Sequence, residues 1–127
     1  MSATVSKTDL LNDILDNLAV SLSGDVNGSA VVSTDGIIYA ARFSSGVNVD
    51  RVGAIAATTL GISRRVAKDL SLGNSNETII QCEGGFFLVI PVNDKCLLAV
   101  NIRKGGNLGM TRLEANDASA KINMVMA

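Results

Sequence analysis

Few side chains in this sequence could do covalent or acid–base chemistry. The 127 residues contain no histidine, the side chain that most often serves as general base and metal ligand near neutral pH. The two cysteines, Cys82 and Cys96, fall in stretches that read as strands. Two thiolates make an incomplete zinc shell, so both are expected to be reduced, buried small hydrophobes. No carboxylates pair at a spacing suited to catalysis. No enzymatic activity, metal or cofactor is therefore expected. The run Lys104-Gly105-Gly106-Asn107-Leu108-Gly109 invites a phosphate-cradle reading, because backbone N–H groups at a helix start bind anions. A Walker loop, however, ends its spacer with Gly-Lys-Ser/Thr. No lysine or hydroxyl follows these glycines in register, and a tight turn is expected instead.

What remains is chemistry of association, concentrated in residues 49–70. This stretch lacks proline and spaces its apolar residues as a helix does. Val52, Ala56, Thr59, Ser63, Val66 and Leu70 fall on one side at about 100° per residue. Ile55 and Ile62 widen that stripe; Val49, Leu60 and Ala67 extend its other edge. This side is expected to bury against a sheet. The opposite side carries Gly53, Ala54, Ala57, Thr58 and Gly61, with Arg51, Arg64, Arg65 and Lys68 around them. Glycine costs roughly 1 kcal/mol against alanine inside a helix. Two glycines on an outward face therefore suggest a helix–helix contact with a second copy or a partner protein.

The elements around this helix can be read in order. The first residues, 1–5, are expected to be frayed. A first helix covers about 8–23, capped by Ser6 or Thr8, with Leu11, Ile14, Leu15, Leu18 and Leu22 as its stripe. Strands at 26–33 and 37–42 flank an Asp35-Gly36 turn, and Asn48 caps the long helix. Strands at 77–82, 86–92 and 96–102 follow, joined by short turns, so they are antiparallel neighbours. The last two are apolar on both faces and need a layer on each side. Strand 77–82 begins in a polar loop and is interrupted by Thr78 and Gln81, which suits a sheet edge. Pro91 belongs at a strand end or an unpaired side. A last helix covers about 108–125. The order is αββαβββα, an α+β (α/β) class fold. It is a five-stranded antiparallel sheet with the long helix on one face and the two terminal helices on the other.

Composition bounds the rest. Hydrophobic residues make up 47% but aromatics only 3%, so the core is aliphatic. One domain over 1–127 is expected. The net charge of −1 argues against nonspecific binding of nucleic acid or an anionic membrane. No apolar run approaches the roughly 20 residues of a membrane span, and the first residues lack a signal peptide's apolar core. A cytoplasmic location is expected.

Several strings in this order resemble the roadblock/LC7 family. They are Gly28-Ser29-Ala30-Val31-Val32-Ser33-Thr34-Asp35-Gly36 and Gly53-Ala54-Ile55-Ala56-Ala57, then Gly84-Gly85-Phe86-Phe87-Leu88-Val89-Ile90-Pro91-Val92, Leu97-Leu98-Ala99-Val100 and Asn107-Leu108-Gly109-Met110-Thr111-Arg112. The resemblance covers about residues 8–123 and implies a profilin-like fold. It also implies a homodimer or heterodimer, paired edge to edge through the strand after the long helix, with the long helices side by side. Family members bind Ras-like small GTPases as activators or scaffolds, or serve as dynein light chains. The bacterial gliding-polarity member activates its GTPase without inserting an arginine finger. Carried onto this chain, the dimer interface comprises Gly53, Ala57, Leu60, Gly61, Glu77, Thr78, Ile79, Ile80 and Gln81. Two copies of the helix would form one platform, on which Arg51, Arg64, Arg65 and Lys68 would meet an acidic GTPase. The alternatives are a structural subunit of a motor or signalling complex, and a small-ligand sensor; the aliphatic strands look too well filled for a sensor cavity.

Overall fold

The computed structural model describes residues 5–127. Most of the expectation for the first five residues lies outside that range. Eight elements follow one another: α1 (Lys7–Ser21), β1 (Val26–Ser33), β2 (Ile38–Phe43), α2 (Val49–Asp69), β3 (Thr78–Cys82), β4 (Gly85–Pro91), β5 (Cys96–Arg103) and α3 (Leu108–Met126). This is the expected order, with boundaries shifted by one or two residues.

The local causes of these elements are visible. Ser6, Asn48 and Asn107 cap the three helices, each side chain accepting from the N–H three residues on. These bonds satisfy donors that the first helical turn leaves free. In the β1–β2 turn, Ser33 Oγ accepts from the N–H of Asp35 at 3.2 Å and of Ile37 at 2.9 Å. That draws Ile37 into the turn, so β2 starts one residue later than expected. Pro91 is the last residue of β4, where no ladder donor is required.

The five strands form one antiparallel sheet in the order β2-β1-β5-β4-β3. The sheet separates two aliphatic cores. On one side Leu11, Leu15 and Leu18 of α1, Leu22 just after its end, and Ala115, Ala118 and Ile122 of α3 cover Val31, Leu88, Leu98 and Val100. On the other, Ala56 and Leu60 of α2 cover Ala30, Val32, Val89, Leu97 and Ala99. Central β5 is buried from Cys96 to Val100, as a strand covered on both faces must be.

The glycine-rich stretch is a turn held by the chain's own carboxylate. Asp25 accepts from Arg103 Nη2 at 3.3 Å and from the Asn107 N–H at 3.0 Å. Arg103 Nε also donates to the Gly24 carbonyl at 2.8 Å. The anion-favouring start of α3 is thus occupied by Asp25 and the Asn107 cap. A Cβ on Gly106 would lie 2.9 Å from Ile102 Cγ2 and 3.0 Å from the Arg103 carbonyl oxygen, so close packing accounts for this glycine.

Candidate functional site

The edge strand β3 is the least covered part of the sheet. Among the described residues only β4 pairs with it, and residues 79–82 are exposed. Paired residues share a face, so Thr78 and Ile80, opposite Val89 and Phe87, lie in the α2 layer. Ile79 and Gln81, opposite Leu88 and Phe86, lie in the layer of the terminal helices. On that second face Glu77 is ion-paired to Arg112 of α3, which ties the strand's start to the body. Cys82 is exposed, against expectation, because it ends this edge strand; Cys96 is buried, and burial pushes its thiol up.

The long helix turns a different face to the sheet from the expected one. Its buried residues are Gly53, Ala56, Leu60 and Ala67. Gly53 is not on a free face: a Cβ there would come within 2.5 Å of the Gly36 carbonyl oxygen and 2.8 Å of Ile38 Cδ1. The glycine lets α2 seat under the β1–β2 turn, the close approach that a side chain would forbid. Leu60 is core, at 2% exposure, and Ala57 is half-buried. Gly61 is exposed, with nothing within 4 Å of an added Cβ. It sits two positions from both Thr59 and Ser63, hence about 160° around the helix from the flank that meets β3. The small residues therefore do not form the surface beside the open strand.

That surface is made by residues expected in the core. Ile55, Ile62 and Val66 are 48%, 61% and 45% exposed, and Leu70 at the helix end is exposed too. A groove of about 480 Å³ runs between Thr59, Ile62, Ser63 and Val66 and strand residues 77–80. A second, of about 310 Å³, lies between Val52 and Ile55 and the sheet residues Ile80 and Phe87. The Thr58 and Thr59 hydroxyls donate to their own helix, to the Ala54 and Ile55 carbonyls at 2.8 Å. At Thr59 the flank therefore presents a methyl group rather than a free hydroxyl. The helix simply carries more apolar positions than one face can bury, and that excess was the sequence signal for this surface.

The four basic residues are exposed but do not form one patch. Arg51 is in the first turn of α2, about 20 Å along the axis from Arg64. Arg64 and Lys68, four residues apart, line a polar cleft of about 420 Å³ with Asn74, Ser75, Asn93 and Asp94. Arg65 pairs with Asp69 at 2.7 Å. Among the described residues, no group of three His, Cys, Asp or Glu could hold a metal ion, and no helix is long and apolar enough to cross a membrane.

Comparison with known proteins agrees with this architecture. The chain is 30% identical over 105 residues to an uncharacterised protein of Methanocaldococcus jannaschii, covering 83% of this chain and 91% of the relative. MglB of Myxococcus xanthus has the same fold, with a TM-score of 0.85 at 15% identity, over 99% of this chain and 94% of MglB. A profilin of Schizosaccharomyces pombe superposes with a TM-score of 0.66 at 13% identity, over 92% and 99% of the two chains. A family model described as Roadblock/LC7 domain matches residues 11–101, and with eight elements in the αββαβββα order the chain belongs to the Roadblock/LC7 domain family.

Proposed function

We propose that this chain is a cytoplasmic, single-domain, non-enzymatic module that dimerises and serves as regulator or scaffold for a Ras-like small GTPase. The observation that carries the reading is the open edge of β3 beside the exposed Ile55, Ile62 and Val66. An unpaired edge is a template for another strand, and a contiguous apolar patch marks an association surface. A second copy covers both at once: its β3 extends the sheet and its α2 flank meets this one.

The GTPase half of the proposal rests on the family resemblance and on charge. Pairing sets two α2 helices side by side, with Arg64, Arg65 and Lys68 near each C-terminal end. Positive charge there speeds association with an acidic surface. Any effect on hydrolysis comes from ordering the partner's switch loops.

The experiment has two arms. Light scattering at micromolar concentration is expected to give twice the protomer mass, and Ile62→Asp to give a monomer that still folds. GTPases that co-purify with the protein from its native source are then titrated calorimetrically against it. Arg64→Glu with Arg65→Glu should weaken binding roughly tenfold or more while leaving the dimer intact. Unchanged affinity would rule out this end of α2 as the docking site.

A further inference from the structure

The backbone of β3 also restricts how two copies can meet, an inference that rests on the dimer proposed above and names its register. Residues 83–84 form the turn between β3 and β4, and Cys82 stands opposite Gly85. The residues that close a two-residue hairpin exchange N–H···O bonds, and such pairs alternate along the ladder. Ile80 and Thr78 therefore direct their N–H and C=O groups to Phe87 and Val89. The corresponding groups of Ile79 and Gln81 point out of the sheet, toward a new strand.

A two-fold axis perpendicular to the sheet would keep both helical layers continuous across a dimer. Residues paired about it share a face, because side chains alternate strictly along a strand. The axis must then pass through a residue, not between two. We infer that this residue is Ile80. Ile79 of one copy exchanges backbone hydrogen bonds with Gln81 of the other, and Ile80 meets Ile80 on the axis.

Three observations select this register. First, β3 runs Thr78–Cys82, so an axis through its middle residue overlaps the whole strand and satisfies the outward groups of Ile79 and Gln81 in both copies. Second, Ile80 lines both grooves beside α2, so an axis there carries the entire apolar flank onto its equivalent. Third, the Ile80 pair is of the non-hydrogen-bonded type, with Cα atoms only about 4.5 Å apart. It buries two β-branched side chains that are 40% exposed in the protomer. An axis through Ile79 would instead set Ile80 against Thr78. With the axis at Ile80, Glu77 faces Glu83 of the second copy, and Arg112, already on Glu77, stands beside both carboxylates.

Single cysteines test the register. In a Cys82→Ser background, the remaining native thiol is Cys96, which is fully buried. Ile80→Cys, Ile79→Cys and Gln81→Cys are oxidised with copper phenanthroline and followed on non-reducing gels, with light scattering alongside. Directly opposed residues in an antiparallel pair meet the Cα separation a disulfide needs. Ile80→Cys is expected to form a covalent dimer at least roughly tenfold faster than either other variant, through its high effective concentration across the axis. Mixing Ile79→Cys with Gln81→Cys should give the crossed dimer. Fast self-linking of Ile79→Cys or Gln81→Cys overturns the register and keeps the dimer. No linking in a protein that scatters as a dimer overturns pairing through this edge. A monomer by scattering overturns the dimer itself.

Discussion

Val31-Val32 on β1 and Ile79-Ile80 on β3 are the same kind of dipeptide placed in two parts of one sheet. In each pair one side chain points to the α1/α3 layer and the other to the α2 layer. The valines are 0% exposed, whereas the isoleucines are 36% and 40% exposed. The cause is position. β1 has β2 on one side and β5 on the other, while among the described residues β3 has only β4, and α2 covers its flank only in part. Full burial of such a side chain contributes about 1.5–3 kcal/mol. In β1 that contribution holds the protomer together. In β3 much of it is left for a second surface to realise.

Substitutions in the two regions should therefore read out differently, and the largest effect is expected in the covered strands. Leu98, fully buried on β5, changed to alanine should lower the unfolding free energy by about 2–5 kcal/mol in urea titrations. Ile80→Ser should change protomer stability far less and act mainly on the concentration dependence of unfolding. Similar losses at both positions would break the contrast.

Gly53 and Gly61 sharpen it within a single helix. A Cβ at Gly53 would press on the Gly36 carbonyl and on Ile38, so Gly53→Ala should cost about 1–3 kcal/mol by thermal or chemical unfolding. At Asp25 the carboxylate is mostly covered and Arg103 is half exposed. Asp25→Ala should cost about 1 kcal/mol, since it removes an acceptor from Arg103 and from the Asn107 N–H while solvent screens part of the pairing. Gly61→Ala should have the smallest effect and the opposite sign. With open space around it, alanine should raise stability by about 0.5–1 kcal/mol. A Gly61→Ala protein that loses stability would return the small-residue flank to the list of close contacts.

Much of the fold was legible in the sequence, and the misses share a cause. Element order, the antiparallel neighbours and the two-sided burial of β4 and β5 followed from apolar runs and short turns, and the edge position of β3 followed from Thr78, Gln81 and the polar loop before them. Those signals are local, and each strand is joined to the next by a few residues. The cap residue Asn48 was equally readable in type and position, and Ser6 was one of two candidates for α1; the Asn107 cap of α3 was hidden in a stretch read as a tight turn, and Ile37 was lost to the Ser33 hydroxyl. The faces of α2 were not readable. Its apolar residues occupy two sides of the helix, and hydropathy ranks Ile55, Ile62 and Val66 above Gly53 and Ala56 as core residues. The glycine went inward because backbone met backbone there, at Gly36, a residue distant in the chain.

The sequence by itself determined which residues could form helix and strand, the aliphatic character of the core and the absence of histidine chemistry, because these depend on residue type and near neighbours. Only the tertiary structure decided which residues of α2 and β3 are buried. That depends on what lies across the sheet and on how closely two backbones approach. It placed Gly53 and Leu60 inside and left Ile62 and Ile80 beside an open edge.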